Sequence, residues 1–141
     1  MPRPVNVLII DDEPHVRVVF RVLLKQLGIQ TVWEAADGAT ALTMAATHNP
    51  QVVLLDINLP HMNGLEVLAK LKAVHPSMPV IIVSSQSTMK TVTQARDLGA
   101  EAYVLKHAPK AEVLQMISDA FDNIAAHTDA AGGGPAPAPA A

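Results

Sequence analysis

The chain has 141 residues, half of them hydrophobic, no cysteine and a formal net charge of −3. That suffices for one domain with a genuine core but not for two, and it excludes disulfide frames, thiolate metal sites and cysteine nucleophiles. With no Lys/Arg block and no run near the roughly 18 apolar residues of a membrane helix, the composition reads as a soluble cytoplasmic protein without direct nucleic-acid or membrane binding.

Val5 to Ile10 is a β-branched apolar run, a strand that stops abruptly at Asp11-Asp12-Glu13. Pro14 suits the first turn of a helix, and acidic residues beside that terminus are favoured by the helix dipole. Val16, Val19, Phe20, Leu23 and Leu27 then recur at three- and four-residue spacings, and Gly28 closes the helix. Thr31-Val32-Trp33-Glu34 is a weaker strand suited to a sheet edge, and Trp33 is read as packing there. Asp37-Gly38 turns the chain into an Ala-rich helix over Ala41 to Ala46, ended by Asn49-Pro50.

Val52-Val53-Leu54-Leu55 is an uninterrupted apolar run, the mark of a strand covered on both faces, and Asp56 follows at once. Pro60 prevents extension, Asn63-Gly64 turns the chain, and a helix runs from about Gly64 to Val74. Pro79 to Val83 is a second buried strand, ending in Ser84-Ser85. Thr88 to Leu98 is a helix with a thin apolar face of Val92, Ala95 and Leu98, stopped by Gly99. Ala102 to Leu105 is the last strand, ending in Lys106, and Val113, Leu114, Ile117, Phe121 and Ile124 mark the last helix.

Five strand–helix alternations with short connections require parallel strands with helices on both faces, an α/β doubly wound fold. Residues 1–126 are assigned to this domain. Residues 127–141 are assigned to a Gly/Pro/Ala-rich tail, disordered or extended, either a tether or the start of a linker.

The carboxyl ends of parallel strands share one edge, where doubly wound folds place their chemistry. That edge collects Asp11, Asp12 and Glu13, then Asp56, then Ser84 and Ser85, then Lys106. Clustered carboxylates repel one another unless a cation joins them, and an oxygen-only donor set selects a hard divalent ion, Mg²⁺ first. A carboxylate beside a metal, a hydroxyl and a lysine is equipment for a phosphoryl group. Plainer readings exist for each residue. Asp11 and Asp12 could cap a turn, Glu13 is read mainly as a charge near a helix start, Ser84 could form a turn, and Tyr103 could simply pack. The six histidines show no metal-ligand spacing and are read as surface residues; the methionines are read as core filler.

Asp11-Asp12-Glu13, the segment Asp56-x-x-Leu-Pro-x-x-x-Gly64, Val83-Ser84-Ser85 and Tyr103-Val104-Leu105-Lys106 together resemble the response-regulator receiver domain of two-component signalling, in layout the stand-alone chemotaxis (CheY-like) type. The resemblance runs from about Val5 to Ile124. It implies a flavodoxin-like (βα)5 three-layer sandwich with strand order 2-1-3-4-5. It implies Asp56 as the phosphoacceptor, supplied by a sensor histidine kinase or a phosphotransfer protein. Mg²⁺ is implied on Asp12, Asp56 and the backbone carbonyl of Asn58, with Asp11 acting through water. Ser84 and Lys106 are implied to engage the phosphoryl group, Ser84 and Tyr103 to switch, and Asn58 and Gln86 to tune dephosphorylation. The downstream target is implied to bind the surface of the fourth helix, fifth strand and fifth helix, with the chain a monomer or weak dimer.

One departure stands out: the family usually has a cis proline after the last strand's lysine, whereas His107 follows Lys106 here and Pro waits until Pro109. Either the loop stores strain or it is trans, and the placement of Lys106 depends on which. Three other readings compete with a stand-alone switch. A Mg²⁺-dependent aspartyl-phosphate phosphohydrolase usually carries Asp-x-Asp after its first strand and a cap domain. The chain could instead be the receiver piece of a larger, for example DNA-binding, regulator. A receiver that never takes phosphate is disfavoured by the presence of Asp11, Asp12, Asp56, Ser84 and Lys106 together.

Overall fold

A computed structural model of the chain describes residues 4–85 and 88–133, with side chains through residue 126. Five strands alternate with five helices: β1 (Asn6–Ile10), α1 (Pro14–Gln26), β2 (Thr31–Ala35), α2 (Gly38–His48), β3 (Val52–Asp56), α3 (Gly64–Val74), β4 (Val80–Ser84), α4 (Met89–Asp97), β5 (Ala102–Leu105) and α5 (Lys110–Gly133). The strands form one parallel sheet in the order β2-β1-β3-β4-β5. The expected doubly wound α/β architecture and its strand order are therefore what the chain adopts.

The uninterrupted apolar runs mark the interior of the sheet. Every residue of β3 and β4 is buried, whereas β2, the weakest strand pattern, lies at an edge. Strand alternation splits the core into two layers. Ile9, Leu54, Ile81, Val83 and Val104 face one way, against Phe20, Leu24, Ile117 and Phe121 of α1 and α5. Leu8, Ile10, Leu55 and Ile82 face the other way, against Ala41, Ala45, Val67, Leu68, Leu71 and Ala95 of α2, α3 and α4. Trp33 packs against this second layer and stacks on His48, ring centroids 4.6 Å apart.

Local chemistry starts and stops the helices as their sequences suggest. Pro14 opens α1, the Asp37 side chain accepts the Thr40 N–H at the start of α2, and Thr88 accepts the Thr91 N–H at the start of α4. Each cap satisfies a backbone donor that has no partner within the helix. Gly28 follows α1 at φ +90°, a conformation that costs other residues dearly.

Two expectations need amendment. Leu98 contributes little to the inner face of α4: it caps the helix and is 38% exposed, leaving Ala95 as that helix's buried residue. The last helix runs past the expected domain boundary at 126, into the stretch assigned to the tail, and continues to Gly133. The Ala-rich sequence after Ile124 has high helix propensity, and nothing breaks it until the run of glycines from Gly132. Residues 134–141 lie outside the described residues. Among the described residues, no helix is long and apolar enough to cross a membrane.

Candidate functional site

The acidic pocket forms where β1, β3 and β5 run out at one edge of the sheet. Asp11 follows Ile9 by two, Asp56 follows Leu54 by two, and Lys106 follows Val104 by two. All three therefore leave their strands on the α1/α5 side. Beneath them lies an apolar floor of Ile9, Phe20, Leu54 and Val83. Asp11 and Asp56 are consequently buried, 3% and 2% exposed.

Lys106 organises the pocket. Its Nζ lies 2.9 Å from Asp11 Oδ2, 2.7 Å from Glu13 Oε1 and 3.0 Å from Asp56 Oδ2, and its side chain is only 4% exposed. Burial works to lower the lysine's pKa, but hydrogen bonds to Glu13, Asp11 and Asp56 outweigh it and hold the ammonium above the usual lysine range. Burial pushes the Asp56 carboxyl up, helped by the charge on Asp11 and opposed by Lys106 and the Asn58 N–H. The same lysine, through its hydrogen bond and its charge, holds Glu13 below the usual carboxylate range.

The backbone around the pocket is pinned. Asp56 Oδ1 accepts the Asn58 N–H at 3.1 Å, and Asp11 Oδ1 accepts the Glu13 N–H at 2.9 Å. Gly64 N–H donates to the Ile57 carbonyl at 2.7 Å. A Cβ on Gly64 would sit 2.4 Å from both the Asp56 carbonyl oxygen and Ile57 Cα, so only glycine lets α3 begin this close to the end of β3. Asn63 caps that helix, its side chain accepting the Leu65 N–H at 2.7 Å.

The donor set fits a divalent cation. Oxygens of Asp11, Asp12, Glu13 and Asp56 lie within 4.8 Å of one another. Four carboxylates around one lysine leave the cluster short of positive charge, and Asp12, exposed at the rim, is not among the lysine's partners. Hard oxygen donors in that number suit Mg²⁺ or a similar ion.

Asp11, Asp12, Asp56 and Lys106 are thus brought together, and Asn58 is exposed beside them with its N–H on Asp56. Ser84 is fully buried at the end of β4, and its carbonyl accepts the Lys106 N–H at 2.8 Å. Tyr103 packs half-buried against the α2/α3/α4 layer. Gln86 lies outside the described residues. No cis peptide bond occurs among the described residues, so Lys106–His107 is trans, and Lys106 still reaches the pocket.

Two features escaped the sequence reading. Glu13 is more than a helix-start charge: it makes no side-chain cap and turns instead to Lys106. Behind the pocket, Arg17 donates through Nε to Glu34 Oε1 at 2.8 Å and through Nη1 to the Asp11 carbonyl at 2.6 Å, and Arg21 pairs with the other Glu34 oxygen. The available signal was a glutamate in an apolar strand together with two arginines four apart on one helix face. A separate groove lies at the opposite, amino-terminal edge of the sheet, among Pro4, Pro50, Gln51 and Pro79, away from the acidic cluster.

Residues 7–118 match the family model described as response regulator receiver domain. The transcriptional regulatory protein KdpE of Mycobacterium tuberculosis is 43% identical over 100 residues, covering 71% of this chain and 43% of the relative. A receiver domain protein (CheY-like) from Methanospirillum hungatei superposes with a TM-score of 0.77 at 26% identity, covering 86% of this chain and 96% of that one. The CheX–CheY–BeF3–Mg²⁺ complex from Borrelia burgdorferi gives a TM-score of 0.78 at 29% identity, covering 84% and 90%. The chain spans about half the length of the curated relatives it matches.

Proposed function

The chain belongs to the response regulator receiver domain family, signalling modules rather than enzymes, and on that footing we propose that Asp56 is its phosphoacceptor. The observation that carries the proposal is the meeting of Asp11, Glu13 and Asp56 on one lysine Nζ, across as many as 93 positions of sequence. The phosphoryl group comes from a phosphohistidine of a sensor kinase or phosphotransfer protein. One oxygen of Asp56 forms the new P–O bond, the P–N bond breaks, and the imidazole leaves as the neutral ring once it holds a proton.

Asp12, Asp56 and the Asn58 carbonyl would hold Mg²⁺, with Asp11 acting through water. Bound there, the ion would neutralise phosphoryl oxygens as charge develops. Lys106 is already within reach of Asp56 and supplies a second positive charge. Ser84 hydrogen-bonds the transferred group, and Asn58 and Gln86 govern access of the water that later hydrolyses it. Phosphorylation adds roughly −1.5 to −2 charges near neutral pH, which Lys106 meets by giving up part of its hold on the other carboxylates.

The switched surface is α4, β5 and α5, with Tyr103 following Ser84. Support comes from α4 itself, which anchors to the core chiefly through Ala95 and leaves Met89 80% exposed. An element held this lightly redistributes for a few kcal/mol, the scale on which ligands shift populations. A downstream protein docks there.

The deciding experiment incubates the chain with Mg²⁺ and acetyl phosphate or phosphoramidate and follows intact mass. The parent gains one phosphoryl group and Asp56→Asn gains none; equal labelling of both, or none on a folded parent, overturns the assignment. Labelling that stops at one equivalent separates the switch from an aspartyl-phosphate phosphohydrolase, which would turn over repeatedly. A second reading, the receiver part of a longer transcriptional regulator, is favoured by the curated relatives, of which the matched region makes up only about half. The mass of the protein isolated from its native cells decides between the two.

A further inference from the structure

Asp11 directly follows β1 with every polar group engaged. Its N–H donates to the Ala35 carbonyl at 3.0 Å, its carboxylate meets the Glu13 N–H and Lys106, and its carbonyl accepts Arg17 Nη1 at 2.6 Å. That carbonyl belongs to the Asp11–Asp12 peptide, just past Ile10, the last residue of β1 paired in the sheet among the described residues. Whatever sets the tilt of this peptide also sets the direction in which Asp12 leaves the backbone. Asp12 is the exposed carboxylate of the cluster.

Arg17 is equipped to set that tilt. The guanidinium fork is planar and rigid, so a second bond fixes its orientation. Glu34, opposite Ile9 on the edge strand, provides that second bond at Nε. The Arg17 and Glu34 side chains are only 17% and 24% exposed, which limits alternative hydration. Arg21 shares Glu34 but has no bond to Asp11 among those described. The two arginines thus carry the same charge on the same glutamate, and only one touches the pocket's backbone.

We propose that Arg17, aimed by Glu34, is a positioning residue for the acidic pocket: by holding the Asp11 carbonyl it orients the Asp11–Asp12 peptide and so presents the carboxylates to a divalent cation. The proposal rests on the acidic cluster's being a cation site, as the phosphorylation reading requires. It has a signature that simple charge does not share. Removing a positive side chain near a cation site raises cation affinity by Coulomb's law, whereas removing an orienting partner lowers it, typically by 10- to 100-fold for groups directly behind metal ligands.

The test is Mn²⁺ titration by calorimetry of the parent, Arg17→Met, Arg17→Lys, Glu34→Gln and Arg21→Met, with thermal unfolding recorded for each without metal. Arg17→Met binds Mn²⁺ about tenfold more weakly, Arg17→Lys and Glu34→Gln lose less in the same direction, and Arg21→Met binds at least as tightly as the parent. Arg17→Met binding as tightly as the parent, or Arg21→Met losing as much as Arg17→Met, overturns the proposal. If Arg17→Met does not fold, Arg17→Lys decides: weaker binding with parent-like unfolding supports the role, and parent-like binding overturns it. A parent that takes up no Mn²⁺ removes the cation site itself, and the inference falls with it. A parent that binds while its Arg17 variants match it leaves the phosphorylation reading intact.

Discussion

Replacing Lys106 by methionine tests the electrostatic balance on which the pocket depends. The ammonium lies within 3.0 Å of three carboxylates, two of them buried. Deleting one partner of a buried ion pair costs about 3–5 kcal/mol, because the remaining charge is stranded. Here the low end applies: Asp56 already has a raised pKa and can take up a proton to relieve the repulsion from Asp11. A loss of about 3 kcal/mol in a domain of this size lowers Tm by roughly 10–15 °C. Thermal and urea unfolding in EDTA at pH 7 measure it. The pH dependence has a fixed sign. Because Lys106 is raised in the folded protein, its contribution is complete below the ordinary lysine pKa and lost as pH rises through the folded value. Glu13 is lowered, so its share is present above the usual carboxylate range and lost as pH falls through its folded value. The gap between parent and variant is therefore widest between these limits. Mg²⁺ at about 100 times its Kd returns roughly 2.7 kcal/mol, and the variant binds Mg²⁺ more tightly than the parent because a competing cation is gone. A gap below about 1 kcal/mol in EDTA, well under the cost of a broken buried pair, or a gap that Mg²⁺ does not narrow, refutes the reasoning.

Asp56→Asn unfolds at a higher temperature than the parent at pH 7 in EDTA, because burial opposes the parent's ionised carboxylate while Lys106 keeps Asp11 and Glu13. The raised pKa makes the parent's disadvantage grow as pH rises through the folded value and vanish below about 3.9; a variant less stable at pH 7 contradicts this. Gly64→Ala drives a methyl group into the backbone of Asp56 and Ile57 and costs roughly 1–3 kcal/mol or more. It also slows phosphorylation by acetyl phosphate, and an unchanged urea midpoint with an unchanged rate counts against the close approach. Thr88→Ala removes the cap of α4, worth about 1 kcal/mol. Amide exchange in Met89–Asp97 then accelerates about fivefold, with the phosphorylation rate of Asp56 unaltered.

The sheet was legible because its interior strands need no alternation: four apolar residues before Asp56, and the four from Val80 to Val83 before Ser84, read as strands covered on both faces. The convergence of Asp11, Asp56 and Lys106 followed from that, since parallel strands place their ends together. Strand parity then fixed a common face, each residue standing two beyond a core residue of the α1/α5 layer. The end of α5 was harder to place. Apolar spacing marks where a helix stops touching the core, at Ile124, while the helix itself continues as long as propensity allows, to Gly133.

What the sequence could not disclose is how charge is shared once these ends meet. Glu13 stands next to a helix start, and by local rules its carboxylate belongs there. It leaves that position because a lysine 93 residues away arrives buried and needs partners. A buried ammonium with one carboxylate neighbour is poorly compensated for its lost hydration, and three neighbours make the site tolerable. The same reasoning covers Arg17 and Glu34, whose spacing within their own elements is unremarkable. Their pairing depends on how α1 packs over the sheet beside β2, and the bond to the Asp11 carbonyl depends on where β1 stops. Periodicity identifies which residues are inside, whereas the partner of a half-buried charge is set by tertiary geometry alone. That is why the carboxylates could be read from the chain and the cations that aim them could not.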